Sequence, residues 1–224
     1  MTLPQRNTAL ERPTNFYYLM CKLDRAQYHL VEDGSLIIKN AWDHYKNMGI
    51  GSIIMEHGKN GINDPMLKIK VSGHIDYRYY YMLKRRITGD YADVFVTSCV
   101  NNFRFPVFKN EKFMSEQPLY YWFSQRYKSV FISKVLTVGN YLDDGLSRNL
   151  RKLEVENWKC TLYESNLFLS SDTPLWYRLK KGMLVDFILI KKKKSIFKYI
   201  CKSSNRWILM TALLPAAMYT YFKR

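Results

Sequence analysis

Asp93-Val94-Phe95-Val96-Thr97-Ser98-Cys99-Val100 is a dense β-prone run near the middle of the chain. Its reading separates an all-helical fold from a mixed one, because β-branched and aromatic residues suit a pleated, half-buried surface. Working outward, Leu67-Lys68-Ile69-Lys70-Val71-Ser72 alternates apolar and polar residues, the period of a half-buried strand. Phe103-Arg104-Phe105 alternates again, and Pro106 confines that strand to an edge. Helical signals flank these runs. Asp24 caps a short helix to about Glu32, which Asp33-Gly34 breaks. Ser35 caps a second helix through Leu36, Ile37, Ala41, Trp42, Tyr45 and Met48, with Gly49 as its stop.

Ser115-Glu116-Gln117-Pro118 reads as a helix start. The 3–4 spacing of Leu119, Trp122, Phe123, Tyr127, Val130, Phe131 and Val135 predicts a helix to Val138, ended by Gly139. Cys160 to Leu169 and Gly182 to Ile190 read as further strands. The expected fold class is α+β: a small antiparallel sheet with several helices and a C-terminal apolar helix. Residues 1–15 form an extended arm, with Pro4 and Pro13 as breakers. The composition break near Lys191 divides a body, residues 1–190, from a basic, apolar tail, residues 191–224.

Charge is distributed unevenly. The net charge is +16, and from Leu175 onward 12 Lys and Arg face one acid, Asp186. Thus +11 of the +16 lies in the last 50 residues, a pattern that suits phosphate partners in lipid headgroups or nucleic acid. The anionic-surface candidates are Lys191, Lys192, Lys193, Lys194, Lys202, Arg206, Lys223 and Arg224.

Cys21, Cys99, Cys160 and Cys201 are isolated, and His29, His44, His57 and His74 lack ligand spacing beside them. Unpaired thiols in a reducing, intracellular compartment are expected, with no metal and no cofactor. Met1 to Pro13 lacks the apolar run of a secretory signal. Tyr141-Leu142-Asp143-Asp144 has the shape of the YxDD turn of reverse transcriptases, whose carboxylates hold two magnesium ions. Gly145-Leu146-Ser147-Arg148-Asn149 follows it instead of an apolar strand, so it reads as a loop whose Asp caps the next helix. Asp93, the third carboxylate such a site needs, reads as an ordinary strand start. No catalytic residue is assigned.

Tyr77 to Arg86 mixes aromatic and basic residues. Aromatic planes stack on unpaired bases while Arg and Lys meet phosphates, so Tyr79, Tyr81, Arg85 and Arg86 are candidate RNA contacts. Tyrosines two apart also line one face of an ordinary strand.

Trp207 to Phe222 contains no charged residue, between Arg206 and Lys223-Arg224. Sixteen helical residues span roughly 24 Å, short of the ~30 Å hydrocarbon core, and basic residues at both ends can snorkel to close the gap. The composition looks like the tail anchors of mitochondrial outer-membrane proteins. Trp207, Leu209, Leu213, Leu214, Pro215, Tyr219 and Phe222 are the candidate membrane-anchor residues. The sequence therefore points to a non-catalytic, membrane-attached accessory or scaffold subunit of a larger, mitochondrial assembly. Its expected partners are membrane lipids and other protein subunits. The alternatives are a basic RNA-binding component of a ribonucleoprotein particle and an enzyme with a scattered site.

Overall fold

The computed structural model describes residues 29–87, 89, 91–139 and 149–222, and the backbone alone of 17–20. The expected N-terminal arm, most of the helix from Asp24, and Tyr141 to Asp144 lie outside the described residues. The chain forms two compact units, one from residues 1–82, 86–104 and 122–148, the other from 83–85, 105–121 and 149–224. The fold is α+β.

The first unit is built on a curled, mostly antiparallel sheet. Its strands are β1 (Tyr17–Met20), β2 (His29–Leu30), β3 (Ile50–Gly58), β4 (His74–Asp76), β5 (Ala92–Val96) and β6 (Lys128–Val138). They run β1-β5-β3-β6-β2, with β4 also on β6. Strand β3 is buried along its whole length. It pairs antiparallel with β5, Ile53 opposite Val94, and parallel with β6, Ile53 opposite Val130. A parallel pair covered on both faces needs continuous apolar runs, not alternation. That requirement explains Ile53-Ile54-Met55 and Val130-Phe131-Ile132. On one face, helix α1 (Gly34–Tyr45) lays Ile37, Ile38, Ala41, Trp42 and Tyr45 over Ile53, Val94, Val130 and Leu136. A 3₁₀ turn, Lys46–Met48, follows, and Gly49 ends it at φ 67°, where a Cβ would be strained.

Several sequence expectations change here. Val130 to Val138 is the inner part of strand β6, not the end of a long helix; only Gln117–Ser124 is helical (α4). The apolar spacing fits a helix by coincidence, and pairing with β3 decides the outcome. Residues 67–72 form no strand: Ile69 turns inward and donates its N–H to Glu56 Oε1 at 2.7 Å. Residues 103–105 form none either. The β-prone run ends at Val96 and becomes a short helix, α3 (Thr97–Val100).

The second unit is helical: α5 (Leu150–Glu156), α6 (Trp158–Leu167), α7 (Leu175–Lys191), α8 (Ile196–Lys202) and α9 (Arg206–Phe222). The runs expected as strands at 160–169 and 182–190 lie mostly in α6 and α7. The core is Leu162, Leu169, Val185, Ile188, Leu189, Ile200 and Leu209, with their neighbours. Gly182 lets α7 and α9 approach closely. A Cβ there would lie 3.2 Å from both Ile208 Cγ2 and Ala212 Cβ. Further along, Phe187 meets Tyr219 edge-on at 5.5 Å between centroids, so the two helices run in the same direction.

The expected transmembrane helix is overturned. No helix among the described residues is long and apolar enough to cross a membrane. Helix α9 has 17 residues, and Ile208, Leu209, Ala212 and Ala216 are buried.

Candidate functional site

Helix α9 has an unusual division of faces. Its inner side, Ile208, Leu209, Ala212 and Ala216, is packed in the second unit. Its outer side carries Trp207, Met210, Leu214, Met218, Tyr221 and Phe222, at the i, i+3, i+4, i+7 spacing of one helix face. Trp207 is 68% exposed, Leu214 71% and Phe222 77%. On α8, Phe197 is 80% exposed. A surface helix ordinarily turns polar residues to water on its outer side. Here only Thr211 interrupts the row, and its hydroxyl donates back to Trp207 O at 3.0 Å.

Cations are dense in the stretch of chain that leads into α9. Lys191, Lys193, Lys194, Lys198, Lys202 and Arg206 are exposed, and Lys192 is half-buried. Lys191 Nζ lies 6.0 Å from the Phe187 ring centroid and Lys194 Nζ 5.1 Å from that of Trp158. Arg206 lies over Trp207. Asp186, the one acid between Leu175 and Phe222, is completely buried. These helices therefore offer cations and apolar surface to solvent, and no carboxylate of their own.

The residues singled out from sequence divide accordingly. Trp207, Leu214, Pro215 and Phe222 stand on the exposed side, Leu213 and Tyr219 are half-buried, and Leu209 is in the core. Lys223 and Arg224 lie outside the described residues. The Tyr77–Arg86 cluster is mostly helix, α2 (Arg78–Lys84). Tyr79 and Tyr81 are buried, with Tyr81 against Phe131 at 4.4 Å and His74 at 4.7 Å between centroids. Neither presents an accessible ring face for a base. Arg85 and Arg86 are exposed.

Sequence reading missed the buried polar groups. In the first unit, Ser52 and Ser129 hydroxyls meet at 2.6 Å, His57 Nδ1 and Thr137 Oγ1 at 2.6 Å, and Ser133 Oγ–H donates to Glu56 Oε1 at 2.9 Å. These groups pair β3 with β6, beside the register shifts around Glu56. In the second unit, the Lys181 ammonium donates to Glu164 Oε1 and Gln117 Oε1, both at 2.8 Å, and Ser115 donates to Glu164 Oε2. Burial opposes the Lys181 charge, but the Glu164 carboxylate holds its pKa above the ordinary value. A cavity of about 40 Å³, room for about three waters, is lined by Ser115, Gln117, Glu154, Cys160, Thr161 and Glu164. Burial, with Glu111 adding to it, pushes the Cys160 thiol up to about 12. Thiol and ammonium thus stay protonated at neutral pH, and neither is a nucleophile there. Among the described residues no group of His, Cys, Asp and Glu is placed to hold a metal ion. No protein-family model, curated protein or solved structure matches the chain.

Proposed function

We propose that this protein is a membrane-attached accessory or scaffold protein that docks on an anionic lipid surface through the outer face of α9. The observation that carries this reading is the exposed row Trp207, Met210, Leu214, Met218, Tyr221 and Phe222. Contiguous apolar surface of this kind marks an interaction site. Helices that lie in a membrane interface bury one apolar face among headgroups and acyl chains, without crossing. Tyr and Trp suit that boundary because their rings are amphipathic.

Charge favours lipid over a second copy of the chain. A second copy would bring up only the same cation-rich, carboxylate-free helices, with nothing on them to neutralise the lysines. An anionic bilayer complements both features at once. Each Lys or Arg near such a surface contributes about 1 kcal/mol.

Co-sedimentation of the full chain with phosphatidylglycerol-containing and pure phosphatidylcholine vesicles tests the reading. Strong binding is expected only with the anionic vesicles. The double variant Met210→Glu, Leu214→Glu should lose at least tenfold in binding and keep its far-ultraviolet circular dichroism, because both side chains already face solvent. Binding to single-stranded RNA with none to vesicles would overturn the proposal.

A further inference from the structure

Asp186 has no evident structural purpose. It lies on α7, one turn beyond Gly182 and so on the same side of the helix, where Ile208 and Ala212 of α9 approach. Its exposure is 0%, and neither carboxyl oxygen has a hydrogen-bond partner among the described residues. A buried ionised carboxylate without partners is costly, whereas a protonated one is tolerated. We propose that ionisation of Asp186 opens the contact between α7 and α9, and so sets how much of α9 is offered to lipid.

The helices packed on α7 bring no charge that satisfies this carboxylate. Helix α9 contributes only neutral groups to the contact, with Tyr219 against Phe187. From α8 comes Tyr199, whose phenol is raised by burial and by the nearby Asp186 charge, and which accepts a hydrogen bond from Asn166. Lys198 and Lys202 of α8 are exposed. From α6, Glu164 is held by Lys181 and Lys159 lies beside the Trp158 ring. From α5, Arg151 pairs with Glu154 at 2.8 Å and lies over the Phe187 and Tyr219 rings. Lys152 and Glu156 pair with each other at the surface of α5.

Burial alone raises the Asp186 carboxyl from its usual 3.8 to about 7. A carboxyl so raised supports the closed state fully below its ordinary value, and that support is lost as pH rises through about 7. The α7–α9 contact is therefore firmest below about pH 4, weakens as pH rises toward about 7, and changes little above that. Opening adds Ile208, Leu209, Ala212 and Ala216 to the apolar surface already exposed, so lipid binding should strengthen as pH rises. Histidine protonation would act in the opposite direction, adding positive charge as pH falls.

The lipid consequence rests on the function proposed above; the opening itself does not, and the two are measured separately. Hydrogen exchange of the full chain without lipid reads the opening. After correction for the intrinsic rate, protection of α9 amides should fall by up to roughly tenfold between pH 5 and pH 6, the limit for one linked proton, and level off above about pH 7. Asp186→Asn and Asp186→Leu should both abolish that fall, and two variants guard against one failing to fold. Protection independent of pH in the wild type, or an unchanged fall in both variants, overturns the switch. Binding to phosphatidylglycerol vesicles should be several-fold stronger at pH 8 than at pH 6 in the wild type and level in the variants. A switch seen by exchange with no vesicle binding at either pH would sink the lipid reading alone.

Discussion

Asp93 stands at the head of an apolar run, and its carboxylate is taken up by Arg78. Nε and Nη2 of Arg78 donate to Asp93 Oδ1 and Oδ2 at 2.8 and 2.9 Å, and both residues are buried. This bidentate geometry joins the start of α2 to the start of β5, 15 residues apart in sequence. Removing one partner strands the other charge in the core, which costs about 3–5 kcal/mol. Asp93→Ala should lower the unfolding free energy by that order in urea titration. The double variant Arg78→Met, Asp93→Leu should recover much of it; a double variant no better than the single would mean the pair is not the source of the loss. Nothing local in the sequence announces the pairing. A lone Asp before Val94-Phe95-Val96 reads as a strand start, and a basic–aromatic cluster reads as surface. The same holds for Lys181 and Glu164, whose contact depends on the packing of α6 against α7.

At the scale of elements, legibility followed locality. Helix α1 was readable because its apolar face, its length and its glycine stop are encoded within 15 consecutive residues. Strand β6 was not, because Val130-Phe131-Ile132 satisfies a strand buried on both faces and one side of a helix equally well. The parallel partner β3, which resolves the ambiguity, lies 77 residues away, Ile53 opposite Val130. For helix α9 the sequence held no sign that one side is packed and the other open, since both sides are rich in apolar residues. The packed side depends on Gly182. Gly182→Leu would drive a side chain into Ile208 and Ala212, where even a Cβ has only 3.2 Å. Overpacking of this kind costs about 1–3 kcal/mol, partly offset by better helix propensity. The expected outcome is a lower midpoint of thermal unfolding, with α9 amides exchanging faster than those of β3 and β6. Equal acceleration in both units would mean that α9 does not detach by itself.

For the whole molecule, the decisive quantity is where the +16 resides. Seven cations fall between Lys191 and Arg206, and no acid falls between Phe187 and Phe222. Sequence alone located this asymmetry correctly, because charge counts need no partner across space. What it left open was whether the lysines line a face or only solubilise an apolar segment. The exposed α9 row follows them directly in the chain. Lysine ammonium groups on flexible stems act as point charges, adding affinity without selectivity. Replacing Lys191, Lys192, Lys193 and Lys194 together with Gln removes four charges worth about 1 kcal/mol each at most. Lys191 and Lys194 already lie over aromatic rings of the protein, so the loss should fall well short of that ceiling. Vesicle titrations at several salt concentrations should show binding weakened by roughly 10- to 100-fold at low salt, with a shallower salt dependence, because exposed charges are screened beyond about 8 Å at physiological ionic strength. The apolar row would remain, so a residual, salt-insensitive affinity should persist. Unchanged binding with an unchanged salt slope would show that the four lysines are only a solvated surface, leaving the α9 row to act without them.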